Sequence, residues 1–377
     1  MKKYVIGINS GTSFDGVDVA LVEFKKNNLI PRFIDGIIYP LPKNVKKLIG
    51  AAIVGSSRDC SLHGISQLNF VLGEIFAAAA LKIVKKNKLK SKEVLLIGSH
   101  GQTIYHVPKY EKFGKYKIRS TFQIGEASVI SQRTGIKTIS NFREADISAG
   151  GSGAPLMPFL DYIFFKNSKN IKAVLNIGGI SNITIVGKNI TPIAFDIGPG
   201  NALIDLVCKK YFNRDFDKDG KIANSGDVDI KSVNAALKDQ YFKIKPPKST
   251  GKEYFNEVFI KKYFSSIKDK KDLLSTLTYF SAACIEKAFY DFIFPKYDVN
   301  ELIISGGGVK NKTLITDLQY LFPDLAISSS DQYGIPYKYK EAVLFALLAY
   351  TSHFGIKNNI PPSTGAKKSV VLGKIIM

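Results

Sequence analysis

Apolar and polar positions come in blocks along this chain, and one order of blocks occurs twice. Tyr4 to Ile8 is apolar, Asn9 to Gly16 is rich in glycine, hydroxyls and carboxylate, and Val17 to Phe24 is apolar again. That pattern predicts two strands joined by a turn. An extended segment near Phe33 to Tyr39 follows. A helix is then expected across Ile65 to Lys85, where Leu68, Val71, Leu72, Ile75, Phe76 and Ala79 fall on one face. Val94 to Ile97 reads as a short buried strand that empties into Gly98-Ser99-His100-Gly101-Gln102-Thr103. A polar cluster at the carboxyl end of a buried strand is where open α/β sheets place ligands.

The order restarts at Ala173. Val174 to Val186 is again strand, Gly/Ser/Asn turn and strand, and a third apolar piece, Pro192 to Phe195, ends at Asp196-Ile197-Gly198-Pro199-Gly200-Asn201. A helix is expected to begin near Pro199, a residue suited to a first helical turn. Helices at Leu273 to Phe292 and Lys340 to Tyr350 flank the strand Leu302 to Ile304, which leads into Ser305-Gly306-Gly307-Gly308. Two halves that open alike predict an internal duplication facing a cleft. Its hinge is expected at Ala149-Gly150-Gly151-Ser152-Gly153-Ala154-Pro155, where glycines permit unusual dihedrals.

A chain of 377 residues suits two domains of ordinary size, and 45% hydrophobic with 23% charged content is that of a soluble globular protein. No apolar run approaches the roughly 20 residues that span a bilayer, and Met1-Lys2-Lys3 is followed by no secretory cleavage pattern. Cys60, Cys208 and Cys284 are too widely spaced for a disulfide framework or a paired zinc motif, so a reducing cytoplasm is expected. The net charge of +21 raises the question of nucleic acid. That charge is nearly all Lys, scattered as in Lys46-Lys47, Lys209-Lys210 and Lys270-Lys271, with no aromatic-basic module. A solvated surface that weakly attracts anionic substrates is the expectation, with neither nucleic acid nor membrane as partner.

The first turn offers a specific chemistry. Gly11, Thr12, Ser13, Asp15, Gly16 and Asp18 bring backbone N–H groups, hydroxyls and two carboxylates to one tip. Such a tip suits a polyphosphate, with Mg²⁺ held by Asp15 or Asp18 directly or through water. An ordinary hairpin with an Asp-Gly turn fits the same residues. Further glycine-rich turns at Asn176 to Asn182 and Ser305 to Asn311 weigh against that plainer alternative, because several backbone-lined turns sharing a ligand are what a nucleotide cleft requires. Other motifs fail. There is no Gly-x-x-x-x-Gly-Lys-Ser/Thr run, and the loop from Asp215 to Gly220 has Gly226 where a calcium loop needs a bidentate Glu. His63, His100, His106 and His353 form no metal-binding spacing.

Taken in order, the motifs carry a resemblance. Ser10 to Asp18, Gly98 to Thr103, Gln123 to Gly125, Asn141 to Arg143, Ala149 to Pro155, Asn176 to Gly179, Phe195 to Asn201, Pro247 to Gly251, Gly306 to Gly308 and Thr364-Gly365 run nearly end to end. In this order and spacing they make the chain similar to the anhydro-N-acetylmuramic acid kinases, sugar kinases of the actin, hexokinase and Hsp70 ATPase superfamily. The resemblance implies an α/β fold of two ribonuclease H-like (actin/hexokinase-type) domains with mixed sheets flanking an interdomain ATP/sugar cleft. The domains would be residues 1–142 with the tail 356–377, and residues 143–355.

The reaction implied consumes ATP, hydrolyses the internal bridge of 1,6-anhydro-N-acetylmuramic acid and phosphorylates the freed oxygen, yielding N-acetylmuramic acid 6-phosphate for peptidoglycan recycling. The resemblance makes Asp196 the base for water and Glu341 a second catalytic residue. Gly11 to Asp18 would hold the ATP phosphates and Mg²⁺, and Asn176, Gly178, Gly179, Gly306, Gly307 and Gly308 would complete the ATP site. Thr103, Glu126 and Arg143 would contact the sugar, Arg143 by a fork to the lactyl carboxylate. A homodimer is also implied, and closure of the two halves upon binding is expected.

Plainer roles stand beside these. Asp196 can cap a helix, Glu341 can favour a helix first turn, Arg143 can form a surface ion pair and Lys248 can shape a loop. The chain departs from the family pattern at Phe142-Arg143-Glu144-Ala145-Asp146, where many relatives have a run of Arg, at Asp161, where they have His, and at Asn9 and Phe14. A kinase of the same superfamily acting on a free hydroxyl, and a non-metabolic actin- or Hsp70-like ATPase, are the competing readings.

Overall fold

The computed structural model describes residues 3–11, 16–55 and 61–377. Packing divides the chain into two compact units, one running to Phe164 and resuming at Gly334, the other Phe165–Tyr333. In the first unit β1 (Lys3–Ser10), β2 (Val17–Phe24) and β3 (Arg32–Tyr39) form an antiparallel meander. β4 (Val94–Phe113) lies parallel to β1 and pairs with β5 (Tyr116–Ile124), while β6 (Thr138–Ser140) lies parallel to β4 and the C-terminal strand Lys374–Ile376 closes the edge. In the second unit β7 (Ile171–Ile177), β8 (Ile180–Val186) and β9 (Ile193–Pro199) repeat the meander. β10 (Val299–Ser305) and β11 (Ala326–Ser329) then extend it in parallel from β7.

Both sheets therefore share one path. Counted from its own first strand, each runs third, second, first, then the parallel strands. The duplication read from the sequence is present in the topology. β1 and β4 lie in the middle of their sheet with both faces covered, which is why Val5, Ile6, Leu96 and Ile97 sit in near-continuous apolar runs.

Two glycines seat a helix on the first sheet. A Cβ at Gly7 would lie 1.8 Å from the Ala342 carbonyl oxygen, and one at Gly98 would lie 2.1 Å from that of Phe345. The helix Lys340–His353 consequently rests its backbone directly on β1 and β4. Gly7→Ala should lower stability by about 1–3 kcal/mol, because the clash is with backbone that cannot rotate away. An unchanged urea midpoint would contradict this seating.

Several elements differ from the sequence reading. The helix Lys340–His353 packs in the first unit, although the sequence boundaries had grouped it with the second half. Gly98 to Thr103 stay within β4, because the strand keeps pairing with β1 and then β5. The helix expected near Pro199 begins at Ala202, since the Gly200 and Asn201 N–H groups donate to Gly179 and Gly178 carbonyls (2.9 and 2.8 Å) and turn the chain first. The expected hinge lies inside the first unit and is tied down by Asp146. That fully buried carboxylate accepts from the Gly153 N–H (2.9 Å), Asn359 Nδ2 (2.8 Å) and Thr364 Oγ1 (2.8 Å).

The helix Leu62–Lys86 is, among the described residues, the one element long and apolar enough to cross a bilayer. Here it is a core helix. Ser61 caps it by accepting from the Gly64 N–H, and Leu68, Leu72, Phe76, Ala79 and Ile83 enter the core of the first unit.

Candidate active site

In the second unit three strand-end turns converge. Asn176 lies next to the last residue of β7, which Gly178 and Gly179 follow, Gly200 and Asn201 follow β9, and Gly306 to Gly308 follow β10. Gly306 adopts φ +85°, and a Cβ there would meet Asn176 Oδ1 and the Ile177 carbonyl at 2.7 Å. A Cβ on Gly308 would meet the Ile177 side chain at 2.3 Å, and one on Gly200 the Gly178 carbonyl at 2.5 Å. These glycines are required by close backbone approach. The predicted residues Asn176, Gly178, Gly179, Gly306, Gly307 and Gly308 are thus brought together. Beside them opens a pocket of about 340 Å³ lined by Ala202, Asp205, Lys209, Lys252 and Phe255, with the Lys252 stem lying across Gly179. Burial pushes the Asp205 carboxyl up to about 6 against the pull of Lys252 and Lys209. The sequence reading missed this pocket, whose residues are far apart in the chain and match no short motif.

Asp196 sits inside β9 opposite Asn182. Its main chain is held from two sides: the N–H donates to the Lys248 carbonyl (3.0 Å), and the carbonyl accepts from the Tyr241 hydroxyl (2.7 Å). Oδ2 accepts from the Thr250 N–H at 3.0 Å. Burial raises this carboxyl to about 6, with the Thr250 N–H and Lys248 pulling down and Glu253 pushing up. The helix after β9 takes Asn201 as its N-cap residue, so Asp196 is not a cap.

In the first unit the hairpin tip residues Thr12, Ser13 and Asp15 lie outside the described residues. Gly11 and Gly16 flank them, and Asp18 stands opposite Asn9 in the β1–β2 register. Glu341, in the first turn of the helix Lys340–His353, accepts from Asn9 Nδ2 at 2.5 Å. The neighbouring Lys340 reaches Asp161 at 2.8 Å, with both side chains almost fully buried. Asp161, a departure from the family pattern, is thereby tied to the residue before Glu341.

Arg143 is no surface ion pair. Its Nη1 donates to the Gly153 carbonyl (2.8 Å), while Nε and Nη2 face His100 Nε2 at 3.2 and 2.9 Å. Desolvation lowers the guanidinium to about 10 against support from Glu341, Glu144 and Asp146, which leaves it charged at neutral pH. His100 is stacked on Phe345 and held well below its ordinary value by burial and by Arg143, so it accepts as neutral imidazole. Its partnership was invisible in a search for metal spacings. Thr103 accepts from Gln123 Nε2 at 3.3 Å. Glu126 has structural duties: it caps the helix Ala127–Thr134 by accepting from the Ser128 N–H (3.0 Å) and also accepts from Asn69 (3.2 Å).

Two mixed sheets that share one strand order, the second carrying glycine turns at its strand ends, make a ribonuclease H-like fold of the actin/hexokinase type. The family description "Anhydro-N-acetylmuramic acid kinase" matches residues 3–377. A protein of that name from Caldanaerobacter subterraneus subsp. tengcongensis is 42% identical, covering 99% of this chain and 97% of the relative. Namesakes from Bacillus cereus and Clostridioides difficile are each 39% identical over 99% of this chain and 98% of their own. The chain belongs to the anhydro-N-acetylmuramic acid kinase family.

Proposed function

We infer that this chain is an ATP-dependent kinase that hydrolytically opens 1,6-anhydro-N-acetylmuramic acid and phosphorylates O6, giving N-acetylmuramic acid 6-phosphate and ADP in peptidoglycan recycling. The observation that carries the reading is Asp196, a hydrogen-bonded, partly buried carboxylate on the strand that leads into the Gly200 turn of a chain in this family. Asp196 takes a proton from water as the water oxygen bonds to the anomeric carbon. The bond from that carbon to O6 breaks, and O6 attacks the γ-phosphorus of ATP, whose leaving group is ADP.

The residues divide by task. Asn176, Gly178, Gly179 and Gly306 to Gly308 hold the nucleotide, and the adjoining pocket takes its nucleoside end. Gly11 to Asp18 are assigned to phosphate binding in this reading. Arg143, positively charged and oriented by His100, meets the lactyl carboxylate in a fork, while Thr103 and Glu126 contact the sugar. Glu341, fixed by Asn9, adds negative charge near Arg143.

Mg²⁺ fits this donor set. It is ordinarily held by one or two carboxylates with phosphate oxygens and water, and Asp15 and Asp18 are the residues that would hold it. When bound, it neutralises phosphate charge. The enzyme acts in the cytoplasm as a homodimer in this reading, which light scattering tests.

The deciding experiment is coupled ADP release with the anhydro-sugar in ¹⁸O-water. The expected product is the 6-phosphate carrying ¹⁸O at the anomeric carbon. Turnover of free N-acetylmuramic acid alone would instead mark a plain sugar kinase. Slow hydrolysis indifferent to any sugar would mark a non-metabolic ATPase.

A further inference from the structure

Lys248 is buried, with only 9% of its surface exposed, yet no carboxylate hydrogen-bonds its ammonium among the described contacts. Aromatic rings surround it instead. Its Nζ lies 4.5 Å from the Tyr241 ring centroid, 5.0 Å from Phe292 and 6.0 Å from Phe242. A lysine costs free energy in such a place, and cation–π attraction offsets part of that cost. An apolar side chain would fill this cage at lower cost, so the charge itself calls for an explanation.

The surroundings of the cage supply one. The main chain of Lys248 accepts the Asp196 N–H, and the Tyr241 ring beneath the ammonium carries the hydroxyl that donates to the Asp196 carbonyl. Two residues on, the Thr250 N–H donates to the Asp196 carboxylate. Phe292, another wall of the cage, meets Phe195 edge to face, next to Asp196 in sequence. Apart from its pairing with β8, the holds on Asp196 therefore pass through the cage or the segment it anchors.

We propose that Lys248 is the positioning residue for Asp196: its caged ammonium pins the Pro247–Gly251 segment to the Asp196 strand and keeps a positive charge within range of that carboxylate. A base must be ionised before it can accept a proton from water. Burial opposes ionisation of Asp196, and so does Glu253. Lys248 and the Thr250 N–H favour it. Lys248 is in turn faced by Cys284 and Lys287 of the helix Lys270–Ala288 and by Asp291 of the turn that follows. Desolvation lowers it to about 8, so it is charged at neutral pH.

This inference rests on the reading of Asp196 as the base, and its test separates the two. Lys248→Met keeps the aromatic packing and removes only the charge. The acid limb of kcat/KM should then move up by about one pH unit, giving about fivefold lower activity at pH 6 and near wild-type activity at pH 8.5. Lys248→Arg should restore the limb. Carbon-13 NMR titration of the aspartate carboxyls, with Asp196→Asn assigning the resonance, should show the same upward movement without any turnover.

A uniform loss of activity with an unmoved limb and an unmoved resonance would overturn the proposal. If Lys248→Met fails to fold, Phe292→Leu, which withdraws one ring and leaves the charge, should move the resonance in the same direction by a smaller amount. An unmoved resonance there overturns it as well. A shifted resonance in an enzyme inactive on the anhydro-sugar would uphold the Lys248–Asp196 coupling and refute the proposed reaction.

Discussion

Asp196→Asn should reduce turnover of the anhydro-sugar about 10²–10⁴-fold, the range that a positioned general base contributes. Asparagine preserves the size of the side chain and can still accept from the Thr250 N–H, so nucleotide binding should persist. Stability should not fall with activity. Because burial raises this carboxyl to about 6 in the folded chain, the folded state holds the proton more tightly than the unfolded state. The charged form therefore weighs against folding as pH rises toward and beyond 6, and the neutral amide removes that burden. Calorimetry at pH 7.5 should show a melting temperature equal to or above wild type. The same carboxyl predicts that kcat/KM of the wild type declines as pH falls through about 6, where the base becomes protonated. Near-normal activity of the variant would remove Asp196 from the role of base.

Asp161→Ala should destabilise the chain by about 3–5 kcal/mol, since it removes the carboxylate paired with the buried Lys340 ammonium. Replacing both partners by apolar residues of similar volume should recover most of that loss, because neither charge then needs compensation. Activity should not recover in parallel. Lys340 begins the helix whose second residue is Glu341, and a loosened first turn displaces that carboxylate from Asn9. Urea unfolding of the single and double variants, compared with their kcat, separates the two effects. A single variant as stable as wild type would show that the ion pair carries no structural weight.

The two hairpin openings were legible because strands buried on both faces leave unbroken apolar runs, as from Tyr4 to Ile8 and Ala173 to Leu175. The outer half of β4 was not. Lys109, Glu111 and Lys112 face water, and only pairing with β5 makes that stretch a strand. The helix Lys340–His353 was legible as a helix, yet its place depends on Gly7 and Gly98, more than 200 residues away in the chain.

The candidate site divides in the same way. Asp196 and the glycine turns announce themselves through local sequence, because a strand end followed by glycines is a local event. Lys248 in its aromatic cage, Arg143 on His100 and Asp161 on Lys340 are long-range pairings, and nothing adjacent in sequence signals them. Glu126, which the resemblance makes a sugar contact, also has its oxygens engaged at a helix start and by Asn69, a tie that nothing adjacent in sequence signals.

The ligands of Asp146 carry a consequence for how the chain is made. The Gly153 N–H is synthesised almost at once after Asp146, but Asn359 and Thr364 follow only after the whole second unit has been translated. Synthesis proceeds from the N-terminus, and domains tend to fold as they emerge. The second unit is one uninterrupted stretch and can be complete while the first still lacks its final helix and edge strand. The loop that presents Arg143 is therefore among the last parts of the molecule to settle, and a nascent chain can acquire its glycine turns well before the surroundings of Arg143 are complete.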